Sequence, residues 1–240
     1  MHYFDIVIPV GPNDINVIKD QIVYTKKNII GYRNIYIITV DTSLKIDDII
    51  TISEDIFPFT IKTVEIYHSK LERNGWYLQQ LLKLYAGLVI PDILDKYLVI
   101  DSDTYFLKPT EFIKDNKCLY NYGTENHYPY FEHMNRMHGN FVKMSNMSGI
   151  CHHMIFETKY IKELFSIVEN NNMKFYDIFL SSVTDYNKSG ASEYEIYFNY
   201  MLKYNKNMIE IRPLKWANVN NINDNLDKDY DYISYHWYIR

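Results

Sequence analysis

The sequence predicts an α/β protein built on an open, mostly parallel sheet with helices packed on its faces. Three observations carry that expectation. Strand-like apolar runs alternate with helical spacing through the first half of the chain. The run Tyr97-Leu98-Val99-Ile100 is apolar throughout, as a strand buried on both faces must be. At 240 residues and 47% hydrophobic, the chain can bury one sizeable core.

Taken in order, residues 3–10 form the first strand, and Gly11-Pro12-Asn13-Asp14 is a turn with helix-capping residues. Ile15, Ile18, Ile22 and Ile29 then recur at helical spacing until Gly31 stops the helix. Residues 34–40 form a second strand closing on Asp41, and residues 61–67 a third, weaker one. Residues 76–87 read as a helix, with Leu78, Leu81, Leu82 and Tyr85 as its apolar stripe. Residues 97–100 are the fourth strand. These strands set Pro9 to Gly11, Asp41 and Asp101 to Asp103 along one edge, where open α/β sheets bind ligands. After Pro109 the rhythm changes. Strands are expected at 118–123, 149–156 and 208–214, and helices at 158–169, 175–182 and 192–202. A polar, aromatic loop fills 125–147, a polar stretch 220–231, and an aromatic, strand-like tail closes the chain. One domain over 1–240 is the simplest organisation.

The net charge of −5 argues against gripping a nucleic-acid backbone. Cys118 and Cys151 make neither a disulfide framework nor a zinc spacing, which fits a reducing compartment. The amino terminus enters a strand pattern at once, with no basic or cleavable apolar leader. No apolar run approaches the roughly 18–20 residues that span a bilayer. The expected location is the cytoplasm, or a host's cytoplasm for a viral chain. The 24 tyrosines suit sugar binding, although AT-rich coding in a bacterium or large DNA virus explains them more simply.

Asp101 and Asp103, spaced i, i+2 at a strand exit, can converge on one hard cation, Mg²⁺ or Mn²⁺, that leaves positions open for phosphates. Asp-Ser-Asp alone suits a polar turn equally well. Asp41 could accept hydrogen bonds from a nucleobase or ribose, or merely cap its turn. Arg73 precedes a helix on which Gln79 and Lys83 share a face at i, i+4, an arrangement able to hold a phosphate and also typical of a solvated face. His152 and His153, adjacent in a strand, point oppositely, so at most one can bind acceptor or donor hydroxyls and the other belongs in the core. Ser192 and Glu195 have capping-box spacing. Glu193 is not needed by that box and is available as a general base, or as a favourable acid in a helix's first turn. His236 could complete the metal site if the tail folds back, or pack among aromatics.

Asn74-Gly75-Trp76-Tyr77-Leu78-Gln79-Gln80-Leu81-Leu82-Lys83, Tyr97 to Thr104, and Phe106-Leu107-Lys108-Pro109 resemble, in that order, a GT-A-type glycosyltransferase. Gly149 to Met154 and Ser192 to Glu195 match too. The nearer resemblance is to a poorly characterised Asp-x-Asp group of bacteria and large DNA viruses. It implies a Rossmann-like GT-A fold, with residues 1–109 binding the nucleotide sugar and 110–240 the acceptor. It also implies Mn²⁺ or Mg²⁺ on Asp103 and His236, with Asp101 supporting the metal or binding ribose. Ser102 joins the donor side, Pro9, Val10 and Asp41 line the nucleoside pocket, and Arg73, Gln79 and Lys83 lie near phosphate. His152, His153 and Tyr194 fall on the acceptor side. The implied partners are a nucleotide sugar, with UDP the expected nucleotide, and a glycan or other hydroxyl acceptor attacked with inversion through Glu193. Two rivals stand beside this reading: a haloacid-dehalogenase-like phosphatase, and an inactive nucleotide-sugar or glycan-binding module.

Overall fold

The computed structural model describes residues 4–170, 172–226 and 228–239. Tyr3, at the head of the first predicted strand, and Asp227, in the predicted polar stretch, lie outside them. In chain order the elements are β1 (Phe4–Pro9), α1 (Ile18–Asn28), β2 (Ile29–Ile30), β3 (Tyr32–Thr39), β4 (Ile50–Ser53), α2 (Ile61–His68), α3 (Asn74–Val89) and β5 (Lys96–Ile100). There follow β6 (Thr104–Phe106), β7 (Thr110–Glu111), β8 (Ile113–Lys114), β9 (Lys117–Tyr120), α4 (Tyr128–Met137), β10 (His153–Glu157), α5 (Thr158–Val168) and α6 (Phe175–Ser181). The chain closes with α7 (Glu193–Tyr204), β11 (Ile209–Ile211), β12 (Trp216–Asn218) and β13 (Tyr232–Ser234).

Among the described residues the central sheet has five strands in the order β10-β5-β1-β3-β4. The four neighbours β5, β1, β3 and β4 run parallel, with Val7 opposite both Tyr36 and Val99. The α/β expectation is met, and for the stated reason: every residue of β1 is buried, as helix-covered parallel strands require. Parallel direction also puts the carboxyl ends of β1, β3 and β5 on one edge. The edge strand β10 runs antiparallel to β5, with His153 opposite Ile100. One core cluster draws residues from Phe4 to Tyr232, and so from both halves of the chain. No helix among the described residues is long and apolar enough to cross a membrane.

Several predicted elements differ from those observed. The third strand is Ile50–Ser53, whereas residues 61–67 are helical. The alternation in Ile61-Lys62-Thr63-Val64 is overridden by a cap, in which the Thr60 N–H donates to Thr63 Oγ1 at 3.0 Å, and by packing of Val64 and His68 at i, i+4. The predicted loop at 125–147 contains α4, whose Tyr130, His133, Met134 and Met137 face inward. Residues 149–152 approach β10 as a turn, not as strand.

One close approach positions the site. A Cβ on Gly87 would overlap the Tyr97 ring and Thr158 Oγ1, so only glycine lets α3 lie this close to β5 and α5. Lys83 is one turn earlier on the same face. It therefore reaches the end of β5 rather than solvent.

Candidate functional site

Five segments meet where β5 ends. Asp101 follows β5 directly, and the antiparallel β10 delivers His152 beside it, with the Asp101 N–H donating to His152 O at 2.9 Å. His152 Nδ1 stands 3.4 Å from Asp101 Oδ2. His152 has φ 61°, a left-handed backbone that costs a non-glycine residue about 1–2 kcal/mol. The first turn of α7 adds Tyr194, whose hydroxyl donates to Asp101 Oδ1 at 2.8 Å.

The centre of the cluster is Lys83. Its ammonium donates to Asp101 Oδ1 and to Glu193 Oε1, each at 2.6 Å, and sits 4.5 Å above the Tyr194 ring. Its side chain is 5% exposed, that of Glu193 4% and that of Asp101 21%, so Lys83 and Glu193 are buried and Asp101 is half-buried at the edge of the ion triad. Burial favours a neutral amine, but the two carboxylates outweigh it and raise the Lys83 pKa above its ordinary value. Burial also pushes Asp101 upward, yet Lys83 and His152 hold it well below the usual carboxylate range. At Glu193 burial prevails over Lys83, and its pKa lies above the ordinary value. Two carboxylates thus share one cation, and Glu193 is the one nearer to accepting a proton.

Asp103 is held separately. β13 pairs antiparallel with β6, setting Ser234 against Thr104, and the Tyr235 N–H donates to Asp103 O at 2.8 Å. That ladder brings His236 Nδ1 to 2.8 Å from Asp103 Oδ2, while His236 Nε2 lies 3.2 Å from Asn218 Oδ1. An oxygen on each side of the ring favours its protonated form. Burial opposes this, but Asp103 raises the pKa above its ordinary value.

Among the described residues no group of three or more His, Cys, Asp or Glu side chains is arranged to hold a metal ion. The donors nevertheless fit one. Among the described residues Asp103 Oδ1 is buried without a hydrogen-bond partner, next to an imidazole, and its carboxylate suits Mn²⁺ or Mg²⁺. A cation there would compete with a proton for the His236 ring.

The remaining predicted residues divide. Ser102 Oγ donates to Asp14 Oδ2 at 2.6 Å behind the Asp-x-Asp turn. Gln79 Nε2 donates to Pro9 O at 3.3 Å, so Gln79 and Lys83 do share a face, and it covers the sheet edge. Val10 is buried and its N–H donates to Ile38 O. Asp41 accepts from the Ser43 N–H and hydroxyl, as a turn cap does. Arg73 is exposed, its guanidinium 5.2 Å from the Trp76 ring centre. Among the described residues no hydrogen bond or ion pair joins Asp41 or Arg73 to the carboxylates.

His152 and His153 do point oppositely. His153 is buried against Phe106, Phe112 and Tyr232, and among the described residues neither ring nitrogen has a hydrogen-bond partner of good geometry. Burial, helped by Arg212, lowers its pKa to about 3. The folded state then lacks a proton that the unfolded state takes up below about pH 6.5. Stability from this group is full above that pH and falls as pH drops toward 3. His153→Phe is expected to lose about 2 kcal/mol less than the native protein between pH 7 and pH 5, measured by urea unfolding. Equal losses in the two proteins would show that His153 is not buried neutral.

Sequence reasoning missed Asp14, Asn218 and Trp216, whose ring packs edge-on against His152 at 5.0 Å. None carries a motif. The pairing of β12 with β13 brings Asn218 and Trp216 in, and only Asp14, in a Pro-Asn-Asp turn on the ligand edge, left a signal. Cys118 and Cys151 are free and buried.

The sequence pattern of a family of unknown function (DUF6492) matches residues 17–223. No curated protein matches the chain. Among solved structures, the apo form of mouse xyloside xylosyltransferase 1 is similar at a TM-score of 0.49 and 7% identity, covering 97% of each chain.

Proposed function

The chain belongs to DUF6492, a family of unknown function, and within it we propose a GT-A-type, metal-dependent glycosyltransferase that moves a sugar from a nucleotide sugar to an acceptor hydroxyl. The observation that most supports this reading is the closure of His236 onto Asp103, 133 residues apart in sequence, at the carboxyl end of β5. A buried carboxylate oxygen without a partner at that point is what an oxygen-seeking cation would satisfy.

On this reading Asp103 and His236 would hold Mn²⁺ or Mg²⁺, which would supply positive charge beside the leaving diphosphate. The sheet edge around Pro9, Val10 and Asp41 takes the nucleoside, with UDP the nucleotide we favour, and the second half of the chain takes the acceptor. Glu193 is the general base. Its raised pKa leaves it able to take the acceptor's hydroxyl proton as the acceptor oxygen bonds to the anomeric carbon. The bond from that carbon to the diphosphate breaks, and the nucleoside diphosphate leaves with its electron pair. Attack from the face opposite the leaving group inverts the anomeric centre. Lys83 positions Glu193 and Asp101 relative to each other throughout.

A thermal-shift screen of UDP, GDP, CMP and dTDP, each with Mn²⁺ and with EDTA, tests the proposal. A ligand that binds the native state raises its apparent stability. One nucleotide is expected to shift the melt, and only with Mn²⁺. No shift with any of them, or hydrolysis of simple phosphate esters without a sugar nucleotide, would overturn the reading.

A further inference from the structure

Period-2 alternation gives the Asp-x-Asp turn a second face. In β6, Phe106 belongs to the main core while Tyr105 belongs to a satellite cluster with Val219 and Ile233. In β13 and its extension, Ser234 and His236 face the carboxylate site, where Ser234 Oγ meets Thr104 Oγ1 at 2.9 Å, and Tyr235 joins the satellite cluster. Over that cluster lies a groove of about 420 Å³, walled by α1 and the 221–223 segment. That volume falls within the ~300–1,000 Å³ of small-ligand clefts.

Its lining has a definite chemistry. Tyr24 and Tyr235 supply part-exposed aromatic surface over the buried Tyr105, and Asn221, Asn223 and Asp20 supply polar groups around it. Tyr105 is fixed, its hydroxyl donating to Val17 O at 3.3 Å, and it meets Tyr24 edge-to-face at 5.5 Å, with Tyr24 half-buried. Aromatic faces bordered by carboxamides and a carboxylate match the apolar C–H faces and hydroxyl rims of pyranose rings. Among the described residues lining the groove, Asp20 is the one charged side chain. Without Lys or Arg the groove is poorly suited to a phosphate or a uronate.

We infer that this groove is a second ligand site, binding a neutral oligosaccharide on the far side of the segment that carries Asp103 and His236. It is distinct from the carboxylate site and stands whether or not that site transfers sugar. The Tyr235 N–H bond to Asp103 O, continuing the β6–β13 ladder, links the two faces through the backbone.

The test is an array of neutral and acidic glycans probed with the full chain, with Tyr24→Ala, Asn223→Ala and Asp103→Ala beside it. Neutral glycans are expected to bind the native chain and the Asp103 variant alike. Tyr24→Ala is expected to weaken that binding at least about tenfold, with Asn223→Ala weakening it in the same sense. Asn223 is exposed, so its variant decides the matter should Tyr24→Ala melt early in a circular-dichroism scan. Binding of acidic glycans only, of none, or of neutral glycans insensitive to both groove variants overturns the inference. So does loss in Asp103→Ala alone, which would put the glycan in the carboxylate site.

Discussion

Lys83→Met is expected to destabilise the protein by about 3–5 kcal/mol at pH 7, because removing one partner of a buried ion cluster strands the others. Asp101 and Glu193 each lie 2.6 Å from the Lys83 ammonium. Methionine fills most of the volume and supplies no charge, so two carboxylates would face each other inside the protein. The pH dependence should reverse as well. In the native protein the lowered Asp101 pKa contributes stability that is full above its ordinary value near pH 4 and lost as pH falls toward the folded pKa. Without Lys83, burial and mutual repulsion raise both carboxylates, so the variant regains stability as pH falls through their new pKa values. The gap between native and variant, read from urea unfolding, should therefore be widest near pH 7 and narrow by pH 5. A loss below about 1 kcal/mol, the level of an exposed pair, would show that the triad is solvated in solution.

Asp103→Ala is expected to abolish the Mn²⁺-dependent nucleotide shift and to lower sugar transfer at least about 10³-fold. That corresponds to about 4 kcal/mol of lost charge stabilisation at the diphosphate. The fold should survive. Among the described residues Asp103 makes one side-chain hydrogen bond, to His236, and its other oxygen already lacks a partner. Removing it costs about 1–3 kcal/mol, within the stability of an ordinary domain. Melting curves and far-ultraviolet circular dichroism check the fold, and isothermal titration checks binding. Undiminished Mn²⁺-dependent nucleotide binding in this variant would remove Asp103 from the site.

The two variants probe different kinds of legibility. Asp101 and Asp103 were visible in the sequence because an apolar run that stops in carboxylates is a local pattern, and the run became β5. His236 was visible as a ligand that a folded-back tail could supply, and the family resemblance strengthened that reading, since nothing near it in sequence points to Asp103. Lys83 was visible as a residue but not as what it does. Helical spacing with Gln79 put the two on one face, which the structure keeps, yet spacing cannot say whether that face meets water or a sheet edge. Gly87 decides that by admitting α3 close to Tyr97. Similar limits explain the misread elements. The β-branched residues of 61–67 suit a strand, but burial of Val64 and His68 on one side favours a helix. The inward positions of α4 lay at helical spacing behind Pro129 and were obscured by the polar residues between them.

By itself, then, the sequence determined the α/β class, the strands β1, β3 and β5 and the carboxylates at their common edge, because burial periodicity and strand ends are written in neighbouring residues. Only the tertiary structure decided that Lys83 bridges Asp101 to Glu193, that His236 closes on Asp103, and that Tyr105 and Tyr235 pack in a satellite cluster apart from the main core. Charge pairing and hydrogen bonding act through space, between groups 18 to 133 residues apart along the chain.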